Sequence, residues 1–250
     1  MTKDDTGPKP AGAVTSGSDK DRPATNRRAS GHAAHHPASG KSSQPRPLRR
    51  ELLEMARLDH SVRAELAASG ALFNAGYEPR MAQVHQRNGR RLRRIIESVG
   101  WPGSDLVGSD GAEAAWLILQ HAISEPDLLR RTLPLLTAAA REGKADPAHA
   151  AMLEDRIRFF EGRPQRYGTQ VDWDVDGRLS PGEVEDPQEL AERRKAVGLP
   201  PLVEQVEDAR SRAAAERQSP PADWQAYVDA RDEWAFNAGW RAGLQLHSRP

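Results

Sequence analysis

Three short polar runs lie where this chain is otherwise apolar or tightly turned, and their residue types are those of proton-transfer and anion-binding chemistry. The first is Gln120-His121, at the end of the apolar stretch AAWLILQHA. A histidine placed there could exchange a proton near neutral pH. The second is Asp155-Arg156. Asp155 lies three residues after Met152 and four before Phe159, and Arg156 bears the same relation to Leu153 and Phe160. On a helix both charges therefore fall inside the apolar band. They form either a buried ion pair or a site in which Arg156 grips an anion in bidentate fashion while Asp155 orients His121. The third run, QRYGTQ, spans Gln165 to Gln170 and offers Gln165, Tyr167, Thr169 and Gln170 as hydrogen-bonding groups.

Taken together these residues frame a pocket for a small molecule. His121, Asp155, Arg156 and Tyr167 are the candidate catalytic groups, and Gln120, Gln165, Thr169 and Gln170 the candidate ligand-binding groups. The structural alternative for His121 is a satisfied core histidine, since an orphaned buried polar group costs about 1–3 kcal/mol. A metal variant would use His85, His121 and Asp155, but their spacing does not demand it, so no metal is assigned and no cofactor is named. The chain has no serine-nucleophile motif, no phosphate-cradling glycine loop and no HExxH, which leaves the reaction class open.

A calcium reading competes for the stretch after QRYGTQ. Asp172, Asp174, Asp176, Gly177 and Glu183 match D-x-D-x-D-G-x5-E, with Leu179 at the apolar position. An EF-hand needs a helix running directly into the first aspartate, whereas Pro164 and Gly168 precede it here. Val171, Trp173 and Val175 alternate as in a half-buried strand, and Asp176-Gly177 is a strong hairpin turn. A hairpin over about 168–184 is expected, with Asp172 and Asp174 facing water.

The elements that must position these runs are helices. From Pro47, Leu52, Met55, Ala56, Val62 and Leu66 follow helical spacing, ending near Ser69-Gly70. A second helix over about Pro79 to Val99 carries Met81, Val84, Leu92, Ile95 and Ile96 on one side and five arginines on the other, a solvated face. The segment from Gly100 reads as a loop, and Asp110 with Glu113 as a capping box for the helix through AAWLILQHA, which should cross the middle of the core. Pro126 opens a leucine-rich helix, with Pro134 implying a kink. Asp146-Pro147 caps another that stops at Gly162.

The first 46 residues contain no Leu, Ile, Phe, Tyr or Trp, so they are expected to be a disordered tail rich in Pro, Gly, Ser and Ala. Within it, His32, His35 and His36 are a weak metal-binding cluster, and Arg27, Arg28 and Ser30 a common phosphorylation pattern. Across the chain 36 basic residues balance 36 acidic ones, which argues against nucleic acid or an anionic membrane as partner. Cysteine is absent, which fits a reducing compartment. With no apolar leader and no bilayer-length apolar stretch, a cytoplasmic location is expected.

Gly100-Trp101-Pro102, Val107-Gly108, the AAWLILQHA helix, Leu153–Ile157 and QRYGTQ resemble, in order and spacing, a bacterial domain-of-unknown-function family. Glu185-Asp186-Pro187, Arg193-Arg194 and Gly198–Leu202 extend the likeness, which covers about Pro47 to Glu204. The resemblance implies a mostly helical domain with a hairpin after YGTQ and supplies no activity. Relatives often have Asp after QHA and Gln a few residues later, where this chain has Ile123 and Leu129.

Beyond residue 204 the character changes. Residues 205–222 form a charged linker or helix, and 223–250 an aromatic C-terminal helix capped by Asp223. That helix has Trp224, Tyr227 and Trp234 on one face and Phe236, Trp240 and Leu244 on another. The expectation is therefore a mainly α fold, a single multi-helix domain over 47–204 with one small β-hairpin. Two function classes follow: a small-molecule enzyme, or a non-catalytic module whose C-terminal helix packs on the domain or binds a protein partner or second copy.

Overall fold

A computed structural model describes residues 45–71 and 77–243. The tail expected over 1–46, with its histidine cluster and phosphorylation pattern, lies outside these residues except for Pro45 and Arg46. Leu244 lies outside them too. Regular structure among the described residues comprises eight α-helices, a 3-10 turn over Pro187–Glu189 and one two-stranded antiparallel sheet, so the fold is mainly α. The helices are α1 (Pro45–Ala68), α2 (Pro79–Val99), α3 (Ser104–His121), α4 (Pro126–Arg141), α5 (Pro147–Phe160), α6 (Leu190–Ala196), α7 (Leu202–Ala215) and α8 (Trp224–Asn237). The strands β1 (Asp172–Trp173) and β2 (Leu179–Ser180) fall between α5 and α6.

Helix α3 is the hub. It packs on α1, α2 and α5, while α4 packs on α5 and α2. Ala115 and Leu119 of α3 are fully buried with Leu52 of α1, Leu92 of α2, Leu129 and Leu136 of α4 and Leu153 of α5. Each leucine so buried contributes about 1.5–3 kcal/mol, more than any local propensity in these helices. The caps are local. Glu78 accepts from the Met81 amide at 2.9 Å to open α2, and Asp146 accepts from the Ala148 amide at 2.8 Å to open α5.

Two local expectations are corrected around α3. The segment after Gly100 is not all loop, because a helical turn already begins at Ser104 and is interrupted by Gly108, at φ 75° and ψ 167°. The Asp110–Glu113 capping box does not form. Asp110 is instead held by Arg49 and accepts from its neighbour's amide, Gly111. Pro134 lies within the continuous α4, where Thr137 Oγ1 donates to the Leu133 carbonyl at 2.8 Å.

The hairpin forms as expected, pairing Asp172 with Ser180 and Trp173 with Leu179. Val171 and Leu179 bury against Val206, Ala209 and Ala213 of α7, so residues 205–215 are a packed helix. Asp172 does not face water. It is buried, accepting from Tyr227 Oη at 2.6 Å and Arg231 Nη1 at 2.9 Å of α8. Asp174 holds the turn, accepting from the Asp176 and Arg178 amides. Helix α8 packs back on the domain. Trp224 Nε1 donates to the Trp173 carbonyl, and Trp240 just beyond the helix is buried against Phe160 and donates to the Ile123 carbonyl at 2.8 Å. No helix among the described residues is long and apolar enough to cross a membrane.

Candidate active site

The polar groups on the helices separate into two centres. The first gathers Asp59 of α1, His85 of α2 and His121 at the end of α3. Asp59, 1% exposed, accepts from His121 Nδ1 at 3.1 and 3.0 Å to its two oxygens. A carboxylate only accepts, so His121 carries its hydrogen on Nδ1 and leaves Nε2 with a lone pair. His85 Nε2 lies 3.2 Å from Asp59 Oδ2 but is not aligned to hydrogen-bond with it. On the far side of the ring, His85 Nδ1 meets the Tyr77 hydroxyl. The two imidazoles lie 4.6 Å apart, centroid to centroid, tilted by 36°.

The approach of α2 to α3 makes this contact. Gly89, one turn after His85, sits against Ala122, one residue after His121, where an added Cβ would come within 3.0 Å of the alanine's. Arg156 of α5 completes the surroundings. Its Nη1 donates at 2.8 Å to the carbonyl of Gln120, and its buried Nε hydrogen-bonds nothing among the described residues.

The electrostatics follow from burial against pairing. At Asp59 burial favours the neutral acid, but the contacts with His121 and His85 outweigh it and hold the carboxyl well below the usual range. Burial pushes the His121 imidazole down against the pull of Asp59, so the resting pair is carboxylate and neutral imidazole. Burial, with the nearby Asp59 charge, pushes the Tyr77 phenol up, so it keeps its hydrogen. Burial pushes the Arg156 guanidinium down to about 10, which leaves it cationic at neutral pH.

The second centre is a clamp on the QRYGTQ loop. Asp155, fully buried, accepts from the amides of Arg166 at 2.7 Å, Tyr167 at 3.1 Å and Thr169 at 2.9 Å, and from Thr169 Oγ1 at 3.0 Å. Gln165 closes a ring with Gln170, accepting from its amide at 2.7 Å and donating to its carbonyl at 2.8 Å. Gln205 Nε2 donates to the Thr169 carbonyl at 3.0 Å and is itself held by Arg194 Nη2 at 2.7 Å. Gly168, at φ 67°, makes the bend. Tyr167 packs its ring beside Ala148, Ala151 and Leu199.

The expected constellation is thus divided. His121, Arg156 and the Gln120 carbonyl meet in the first centre, while Asp155, Gln165, Tyr167, Thr169 and Gln170 meet in the second. Asp155 neither pairs with Arg156 nor orients His121. Successive helical residues point about 100° apart, so one faces the loop and the other faces α3. Asp59 takes the place expected of Asp155 beside the histidines. Sequence reasoning missed it, although a signal existed: it fills the one empty turn in the stripe Leu52, Met55, Ala56, Val62, Leu66. His85 and the buried Asn88 likewise lie on the Met81–Leu92 face of α2.

Fold and site together define a mainly α domain with a buried carboxylate flanked by two histidines. The chain belongs to a family of unknown function, DUF6624, whose model matches residues 46–212. All the residues of both centres fall within that span. No curated protein and no solved structure matches the chain.

Proposed function

We propose that this protein is an enzyme acting on a small anionic molecule at the Asp59–His85–His121 centre. The observation that carries the reading is the hydrogen bond from His121 Nδ1 to a carboxylate with almost no exposed surface, which fixes the ring and its tautomer. A histidine so held presents Nε2 as a base, and the developing imidazolium is stabilised by the carboxylate beneath it. His85 and His121 keep 11% and 12% of their side-chain surface exposed, so the rings, unlike Asp59, border solvent. Arg156 supplies a fixed positive charge with an unused N–H for an anionic substrate group. The second centre then serves to hold the loop, not to touch substrate.

The test is conversion of a small-molecule metabolite pool by the purified full chain, followed by untargeted mass spectrometry beside a folded His121→Gln variant. Conversion by the wild-type chain that falls by about 10²-fold or more in the variant supports the reading. Equal conversion by both, or none by either, overturns it.

A further inference from the structure

We infer that Asp59, His85 and His121 form a binding site for one divalent transition-metal ion of the zinc, cobalt or ferrous class. The inference rests on the same centre as the proposed function and changes the task of His121 from proton carrier to ligand. Each residue offers one ligand atom, and these atoms lie within 4.8 Å of one another. Ligand bonds of about 2.0–2.2 Å would place them roughly 3–3.5 Å apart, so small side-chain movements close the site. Two imidazoles and one carboxylate suit zinc, cobalt, nickel or ferrous iron and not the all-oxygen preference of calcium or magnesium. Three protein ligands also leave coordination positions open for water or substrate.

The hydrogen count at His85 points the same way. A neutral imidazole carries one N–H. If it is on Nδ1 it is donated to the Tyr77 hydroxyl, and Nε2 turns a lone pair towards the Asp59 carboxylate 3.2 Å away. If it is on Nε2 it should be donated to Asp59, yet Nε2 is buried and makes no hydrogen bond among the described residues. In either case Nε2 and the carboxylate lie 3.2 Å apart with no aligned hydrogen bond between them. A cation between them removes the conflict. Tyr77 then acts as the outer partner that fixes a ligating histidine through its other nitrogen. The nearby Arg156 opposes a second positive charge, and its buried Nε hydrogen-bonds nothing among the described residues.

The test uses the full chain carrying His32→Ala, His35→Ala and His36→Ala, so that the tail contributes no ligand. After chelation and desalting, Co2+ is titrated by visible absorption and Zn2+ by competition with a chromophoric chelator. The inference requires one equivalent of metal, binding abolished by His85→Gln with helicity intact by circular dichroism, and affinity lowered about 10–100-fold by Tyr77→Phe. Failure to take up cobalt or zinc overturns it, as does affinity unchanged by His85→Gln. If His85→Gln fails to fold, Tyr77→Phe decides, and unchanged affinity in that variant overturns the inference. A chain that converts a metabolite through His121 but binds no metal leaves the enzyme reading standing and removes this one. Metal bound by a chain that converts nothing does the reverse.

Discussion

Asp59 and Asp155 are two carboxylates with almost no exposed surface, and their partners give them different work. Asp155 receives three backbone amides and a hydroxyl, all from the loop it organises. Asp59 accepts from one imidazole and lies against a second, groups that exchange protons and bind metals. A carboxylate whose lone pairs are filled by main chain is structural, because moving it moves the backbone. His149 shows a third fate for a buried ionisable group. It stacks on Trp116 at 4.5 Å, with Glu113 3.7 Å away and Asp146 near, and burial pushes its imidazole down to about 4. The unfolded chain binds this proton near 6.5, so between 6.5 and 4 it holds more protons than the folded chain. Stability therefore rises with pH through that window and is lost on acidification, by on the order of 3 kcal/mol. Urea unfolding of wild type and His149→Phe across this range should show the variant less acid-sensitive. Identical pH slopes would contradict the assignment.

At the scale of elements, the first centre depends on how closely α2 meets the end of α3. Gly89 permits that approach, since a Cβ there already stands 3.0 Å from the Ala122 Cβ. A Gly89→Val substitution adds two further methyls to this contact and should force the helices apart, lowering stability by about 1–3 kcal/mol. The expected signature is local: ring proton resonances of His85 and His121 shift, while the Asp155 clamp keeps its amide protection from hydrogen exchange. Loss of protection at both centres together would mean that they form one cooperative unit. The hairpin and α8 make a separate bracket, joined where Tyr227 and Arg231 bind Asp172. Here the calcium-like string is used for packing, with Asp172 paired to α8 and Asp174 folded into its own turn.

At the scale of the whole molecule, what was legible in the sequence was whatever depends on neighbours along the chain. Pro79 and Asp146-Pro147 mark helix starts, Gly162 marks a helix end, and Asp176-Gly177 marks the hairpin, because caps and turns are local chemistry. The polar character of His121, Asp155, Arg156 and the QRYGTQ run was legible too. Their partnerships were not. Asp59 and His121 stand 62 residues apart, and no periodicity tells which helices will face each other. The Asp155–Arg156 sequence hides a divergence of about 100° that sends each residue to a different centre. Asp172 read as outward because its burial comes from α8, a helix 52 residues later.

The division into a reactive centre and a structural clamp is tested most directly by comparing Asp59→Asn with Asp155→Asn in the same full chain. For each, the rate of metabolite conversion is measured alongside the unfolding free energy. Asp155→Asn turns an amide N–H towards backbone N–H groups and should cost about 3 kcal/mol of stability. Asp59→Asn should leave a folded chain whose conversion falls by about 10²-fold or more. Full conversion by a folded Asp59→Asn chain, or loss of conversion by an Asp155→Asn chain that has lost no stability, would contradict the account.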